Sequence, residues 1–150
     1  MDQGPFDHVA DALLGLVLPD LGTLRVQARR WGIKVWFDAD TCPREHYEAQ
    51  VIPARLALGA EVLAIEIGFH AEHPKTPDNE AVLAPISKAE RSWRTLLGPE
   101  AEAGPFLGRG GWVRVSETWA DPNLGDPELP FEVADRLATY IEALEPVRRR

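Results

Sequence analysis

Two stretches decide the fold: residues 44–52, REHYEAQVI, and residues 62–73, VLAIEIGFHAEH. In the first, Arg44, His46, Glu48 and Gln50 alternate with Glu45, Tyr47, Ala49 and Val51. In the second, Glu66, Gly68, His70 and Glu72 alternate with Ile65, Ile67, Phe69 and Ala71. A period of two is that of a β-strand, whose successive side chains leave on opposite faces. Ile65, Ile67 and Phe69 are the largest apolar set on any strand, so they face a core and their neighbours face away from it. Tyr47 and Val51 face the core by the same count. If the two strands are neighbours, the outer face gathers His46, His70, Glu48, Glu66 and Glu72, flanked by Arg44 and Gln50. A bulge at Gly68 would reverse the phase after it and send His70 inward.

Residues 5–17 read as a helix, with Phe6, Val9, Ala10, Leu13, Leu14 and Val17 at helical spacing and Pro5 at a first helical position. Residues 24–30 and 33–38 read as a hairpin turning at Arg30-Trp31-Gly32. Thr76-Pro77-Asp78 is a helix start, and Val82, Leu83, Ile86, Ala89, Trp93, Leu96 and Leu97 form one stripe down to Gly98-Pro99. Pro85 lies inside that stripe and predicts a kink. Residues 100–111 read as a loop and 111–119 as a strand. A last helix runs from near Asp126 or Pro130 to Glu145, with Phe131, Val133, Ala134, Leu137, Ala138, Ile141 and Leu144 inward and Pro146 as its stop. The order α-β-β-β-β-α-β-α predicts an α+β domain: one twisted, mostly antiparallel sheet of about five strands with two or three helices on one face.

A chain of 150 residues fits a single domain. It needs no metal or disulfide for stability, because a domain this long buries about 70% of its unfolded surface. The single cysteine, Cys42, excludes an internal disulfide framework and fits a reducing compartment. The acidic N-terminus does not read as a secretory signal, its apolar run at residues 12–18 ending at Pro19. No stretch reaches the roughly 20 apolar residues of a membrane span, so the expectation is a cytoplasmic protein with no membrane partner. A net charge of −8 repels polyanions, and no nucleic-acid partner is expected. Two basic patches stand against that sign: Arg25, Arg29, Arg30 and Lys34 on the hairpin, and the tail at residues 146–150 with Arg148, Arg149 and Arg150.

No phosphate loop, dinucleotide fingerprint, H-E-x-x-H, C-x-x-C or G-x-S-x-G is present, and no motif requires a cofactor. Cys42 with His46 four residues on reads as a loop cysteine rather than a nucleophile, which would need a positive microenvironment.

Residues 62–148 hold a strand of the type Leu63-Ala-Ile-Glu-Ile and a long helix with Ala89-Glu90-Arg-Ser-Trp93 and Leu96-Leu97-Gly98. A tryptophan-containing strand and a C-terminal helix ending at Pro146 follow. This order resembles the uncharacterised α+β accessory domain found beside restriction-endonuclease-like domains in bacterial proteins. The resemblance covers a little over half the chain. It implies the fold class and carries over no catalytic residues. This chain has no room for a separate nuclease domain, and a nuclease core within it would rest on Asp38 or Asp40 with Glu48 and Gln50, lacking the lysine such cores carry.

Three readings of the polar face stand. One is a solvated outer face with cross-strand His–Glu and Arg–Glu pairs. The second is a binding surface for a small molecule or protein, using Arg44, His46, Glu48, Gln50, Glu66, His70 and Glu72 and rimmed by Tyr47, Trp36 or Trp112. The third is a metal site of His46 and His70 with one or two of Glu48, Glu66 and Glu72; His46, His70, Glu48 and Glu66 are the set on which a small metal-dependent hydrolase or nuclease-like enzyme would rest. The sequence favours a non-catalytic binding module over the enzyme.

Overall fold

The computed structural model describes residues 3–17 and 19–149. Leu18, which ends the apolar run noted above, and Arg150, the last terminal arginine, lie outside them. The chain runs α1 (Pro5–Leu13), β1 (Leu24–Arg29), β2 (Gly32–Phe37), β3 (Glu45–Pro53), β4 (Leu63–Ala71), α2 (Thr76–Lys88), α3 (Glu90–Leu97), β5 (Glu102–Pro105), β6 (Val113–Ala120) and α4 (Leu129–Arg148). The strands form one antiparallel sheet in the order β1-β2-β3-β4-β6-β5. The class is α+β, as expected, with six strands rather than about five and four helices rather than two or three among the described residues.

The two decisive stretches are the long central strands, and they are neighbours. Their register sets His46 opposite His70, Glu48 opposite Gly68, and Gln50 opposite Glu66. The pairing runs unbroken through Gly68, so no bulge reverses the phase there. Ile65, Ile67 and Phe69 enter the main core with Trp93, Leu97, Leu137 and Ile141 from α3 and α4. Burying these stripes is what holds the helices to the sheet, since an amphipathic helix is stable mainly through its packed face.

Several elements depart from the sequence expectation, α1 among them, which ends at Leu13 rather than at Val17. The long helix divides at Ala89, whose φ of −92° and ψ of 11° leave the helical region, and not at Pro85, which stays within α2. At this joint the Ile86 carbonyl accepts from the Ala89 amide at 3.1 Å and from the Trp93 indole N–H at 2.8 Å. The α4 helix passes through Pro146 to Arg148. Its last turn is tied down by Arg148, which pairs with Glu145 at 2.6 Å and lies over the Phe69 ring, so Arg148 and Arg149 are docked rather than a free basic tail. Phe131 is 58% exposed, not inward. The expected loop at residues 100–111 contributes the edge strand β5, where Glu102 pairs with Ser116.

The largest departure concerns the outer face, which is not solvated. His46, Glu48, Glu66, His70, Arg114 and Ser116 are all buried. The β5–β6 connection folds over them: the Phe106 ring packs edge-on to His70 at 4.6 Å and to Trp112 at 5.3 Å. A small second cluster of Ile52, Ala57 and Ala64, with Leu56 and Leu107 against it, covers the end of the face beyond Glu66. Buried polar groups must find partners, so this covering draws the polar side chains of the face into hydrogen bonds with one another.

Candidate metal centre

The strands place the side chains and local hydrogen bonds then aim them. His46 Nδ1 lies 3.0 Å from the carbonyl oxygen of Pro43. A carbonyl only accepts, so Nδ1 carries the proton and Nε2 faces inward. There Nε2 meets Glu48 Oε1 at 3.0 Å and Glu72 Oε2 at 3.7 Å. His70 is fixed from its other nitrogen: Nε2 lies 3.0 Å from Glu66 Oε2, leaving Nδ1 to face Glu48 Oε1 at 3.2 Å and Glu72 Oε2 at 3.4 Å. Glu66 is itself held by the Ser116 hydroxyl at 2.7 Å and the Gln50 amide at 2.9 Å. Arg114 in turn donates to Ser116 Oγ at 2.9 Å and pairs with Glu102 at 2.8 Å.

Four donor atoms therefore converge, one each from His46, Glu48, His70 and Glu72, all within 4.8 Å of one another. The converging set differs from the one read from sequence in one acid. Glu72, just past the end of β4, supplies the fourth oxygen, and Glu66 stands behind His70. Alternation puts Glu66, His70 and Glu72 on one face but does not say which way each carboxylate turns. The turn of Glu66 is set by Ser116, on a strand whose adjacency to β4 the sequence leaves open. Nothing in the sequence singles out Ser116, the Pro43 carbonyl or Phe106; the parity of Arg114, Ser116 and Thr118 along β6 is the signal that bears on the first.

The other residues named from sequence lie outside the converging set. Gln50 donates to Glu66, which itself stands outside the set. Arg44 is exposed, and its side chain makes no hydrogen bond among the described residues. Tyr47 faces the helices, donating to Glu145 at 3.0 Å, so it does not rim the site. Trp36 is buried with its indole N–H on the Ala39 carbonyl at 2.7 Å. Trp112 packs in the covering loop beneath Arg109.

The electrostatics follow from burial. Three carboxylates meet two imidazoles in a largely buried pocket, and burying uncompensated charge is costly. Burial alone would raise the Glu48 carboxyl, but hydrogen bonds and charge from His46 and His70 outweigh it and bring it to about 2. Glu66 is likewise lowered, burial being overcome by His70 and by hydrogen bonds from Gln50 and Ser116. Burial works against a charged His70, yet Glu66, Glu48 and Glu72 together raise it well above its usual value. The pocket holds an excess of negative charge that either protons or a divalent cation can balance. The free thiol Cys42 lies close enough for its pKa, raised chiefly by burial, to feel Lys34, Glu48 and Glu72.

No family model, curated protein or solved structure matches the chain.

Proposed function

We propose that this protein binds one divalent transition-metal ion through His46 Nε2, His70 Nδ1, Glu48 and Glu72. The observation that carries this reading is the spacing of the four atoms. A tetrahedral ion with bonds of about 2.0–2.1 Å separates its ligands by about 3.3–3.4 Å. The four His–Glu separations are 3.0, 3.2, 3.4 and 3.7 Å, and all four atoms lie within 4.8 Å of one another, so a bound ion would draw the two like pairs closer. Each histidine is held from its far nitrogen, by Pro43 or by Glu66, the arrangement that fixes tautomer and ring orientation in metal-binding histidines. Two imidazoles and two carboxylates suit Zn²⁺, Fe²⁺ or Mn²⁺. The reading keeps a binding module and makes the metal its ligand.

Metal content after purification without chelating resin tests it. One equivalent of metal per chain is expected, restored by Zn²⁺ or Mn²⁺ after chelation and lost in His46→Ala and in His70→Ala. A protein that purifies without metal and takes up none of Zn²⁺, Mn²⁺ or Fe²⁺ at micromolar concentration overturns it.

A second reading, a metal-dependent hydrolase, is favoured by one observation. The Glu48 and Glu72 side chains keep 10% and 12% exposure, while those of His46 and His70 keep 1% and 0%. Solvent reaches the centre from its carboxylate side, where a metal-bound water would be activated. Metal-dependent turnover of p-nitrophenyl esters or phosphoesters, lost in His46→Ala, is its test.

A further inference from the structure

Beside the centre lies a cleft of about 340 Å³, within the size range of small-molecule sites. It runs along the edge hairpin, and Glu48, Gln50, Trp31, Arg29, Arg30 and Lys34 line it. Its origin is a missing side chain. Gly32 stands between Arg29 on β1 and Gln50 on β3 in the same row of the sheet, and a Cβ there would come within 3.0 Å of the Ala49 carbonyl oxygen. The backbones approach closely at that point, which leaves a floor without a side chain between polar walls.

The charge of this cleft is opposite to that of the protein. The chain carries −8, yet three cations line the cleft against a single carboxylate, Glu48. Among the described residues none of Arg29, Arg30 and Lys34 has an ion-pair partner. Lys34 sits directly opposite Glu48 in the β2–β3 register, so its Cβ is about 5 Å from that of Glu48. Trp31 presents a large aromatic surface, 53% exposed, with the Arg30 guanidinium 4.9 Å from its ring centre. Unpaired cations, one of them beside a metal ligand, with an exposed indole at the other end, match a ligand that is anionic at one end and planar or apolar at the other.

We infer that this cleft binds a small organic anion, a carboxylate or phosphate monoester on an aromatic or apolar body, with its charged end held by Arg29 and Lys34 against the Glu48 wall of the metal centre. The inference rests on the metal reading only for what the anion is held against. The cleft is too small for a duplex, and the net charge of the chain disfavours a polyanion, so a small molecule fits better than nucleic acid.

The test is calorimetric titration of phenyl phosphate and of benzoate into metal-loaded and chelated protein, with the Trp31 indole N–H followed by NMR and assigned through Trp31→Phe. Saturable binding that moves the Trp31 signal is expected for at least one probe. It should weaken at least tenfold in Arg29→Ala/Lys34→Ala, whose metal content stays that of the wild type. Both substituted side chains lack described partners, so the variant should fold. Unchanged affinity in that variant, or binding that leaves Trp31 unmoved, overturns the inference. So does salt-dependent binding of a single-stranded oligonucleotide that outcompetes phenyl phosphate and is lost in the same variant. If the wild type holds no metal but still binds the probe through Arg29 and Lys34, the cleft stands and the metal reading alone fails.

Discussion

His70 reaches Glu66 along its own strand, with Nε2 3.0 Å from Oε2 across four residues. Such residues share a face of a strand, but their Cα atoms stand about 13 Å apart, and the side chain of the residue between them normally fills the gap. Here that residue is Gly68, so the imidazole and the carboxylate can lean toward each other over bare backbone. The same absence lets β6 come close: a Cβ on Gly68 would lie 2.2 Å from the Val115 carbonyl oxygen and 2.5 Å from the Ser116 Cα. One glycine thus permits both the His70–Glu66 bond and the approach of Ser116, which anchors Glu66.

Gly68→Ala should therefore damage stability and site together. The methyl has no flexible neighbour to displace, and overpacking of this kind costs about 1–3 kcal/mol or more. A lowered denaturant midpoint with reduced metal stoichiometry is the expected result. Wild-type stability in urea titration would show that β4 and β6 separate more easily than their register implies.

Glu66→Gln separates aiming from ligation. The amide keeps the size of the carboxylate but weakens its hold on His70, and replacing such a partner of a ligand histidine typically costs about 10–100-fold in metal affinity. Stoichiometry should remain one metal per chain, with affinity reduced in competition against a chelator. Glu72→Gln should do worse, because it replaces an anionic donor of the converging set with a neutral one. If Glu66→Gln loses metal outright while Glu72→Gln does not, the roles of the two acids are exchanged.

How much of the fold and site is legible in the sequence follows from which forces act locally. The alternation in residues 44–52 and 62–73 is a local property of strands, so the phase of His46, Glu48, Glu66 and His70 can be read from the residue pattern alone. The covering of their face cannot. Phe106 and Trp112 lie in a Gly-rich stretch with no periodicity, and their place over His70 depends on β5 pairing with β6, a short strand whose Gly104 and Pro105 are poor strand formers. The break at Ala89 is hidden too, because Pro85 is the stronger local signal while the joint is stabilised by the Trp93 indole from the following helix. The choice of Glu72 over Glu66 as fourth donor depends on Ser116, fifty residues from Glu66 in sequence.

Leu137→Ala provides a control on the opposite face. Leu137 is fully buried in the main core, so the change should cost about 2–5 kcal/mol. Metal stoichiometry of the folded fraction should not change, since the sheet separates Leu137 from the centre. A loss below about 1 kcal/mol in denaturant titration would mean that the helices carry less of the core than their burial indicates.

The dependence of stability on pH should distinguish protons from metal as the balancing charge. In chelated protein, Glu48 has a folded value near 2 against an ordinary 4.5, so its contribution is present above about 4.5 and is lost as pH falls toward 2. His70 is shifted the other way, above its ordinary 6.5, so its contribution is full below about 6.5 and is lost as pH rises through the raised folded value. Metal-free protein should therefore be most stable between about pH 4.5 and 6.5, with stability declining on the alkaline side. A metal must displace the second proton of His70, so its affinity should rise with pH and its binding should release protons. Zn²⁺ should then stabilise the protein progressively more as pH rises toward the raised His70 value, where the proton is lost. Thermal melts from pH 4 to 9 with excess Zn²⁺ and with chelator would check this. Two curves that run parallel across the range would mean that no ion takes the place of the proton on His70.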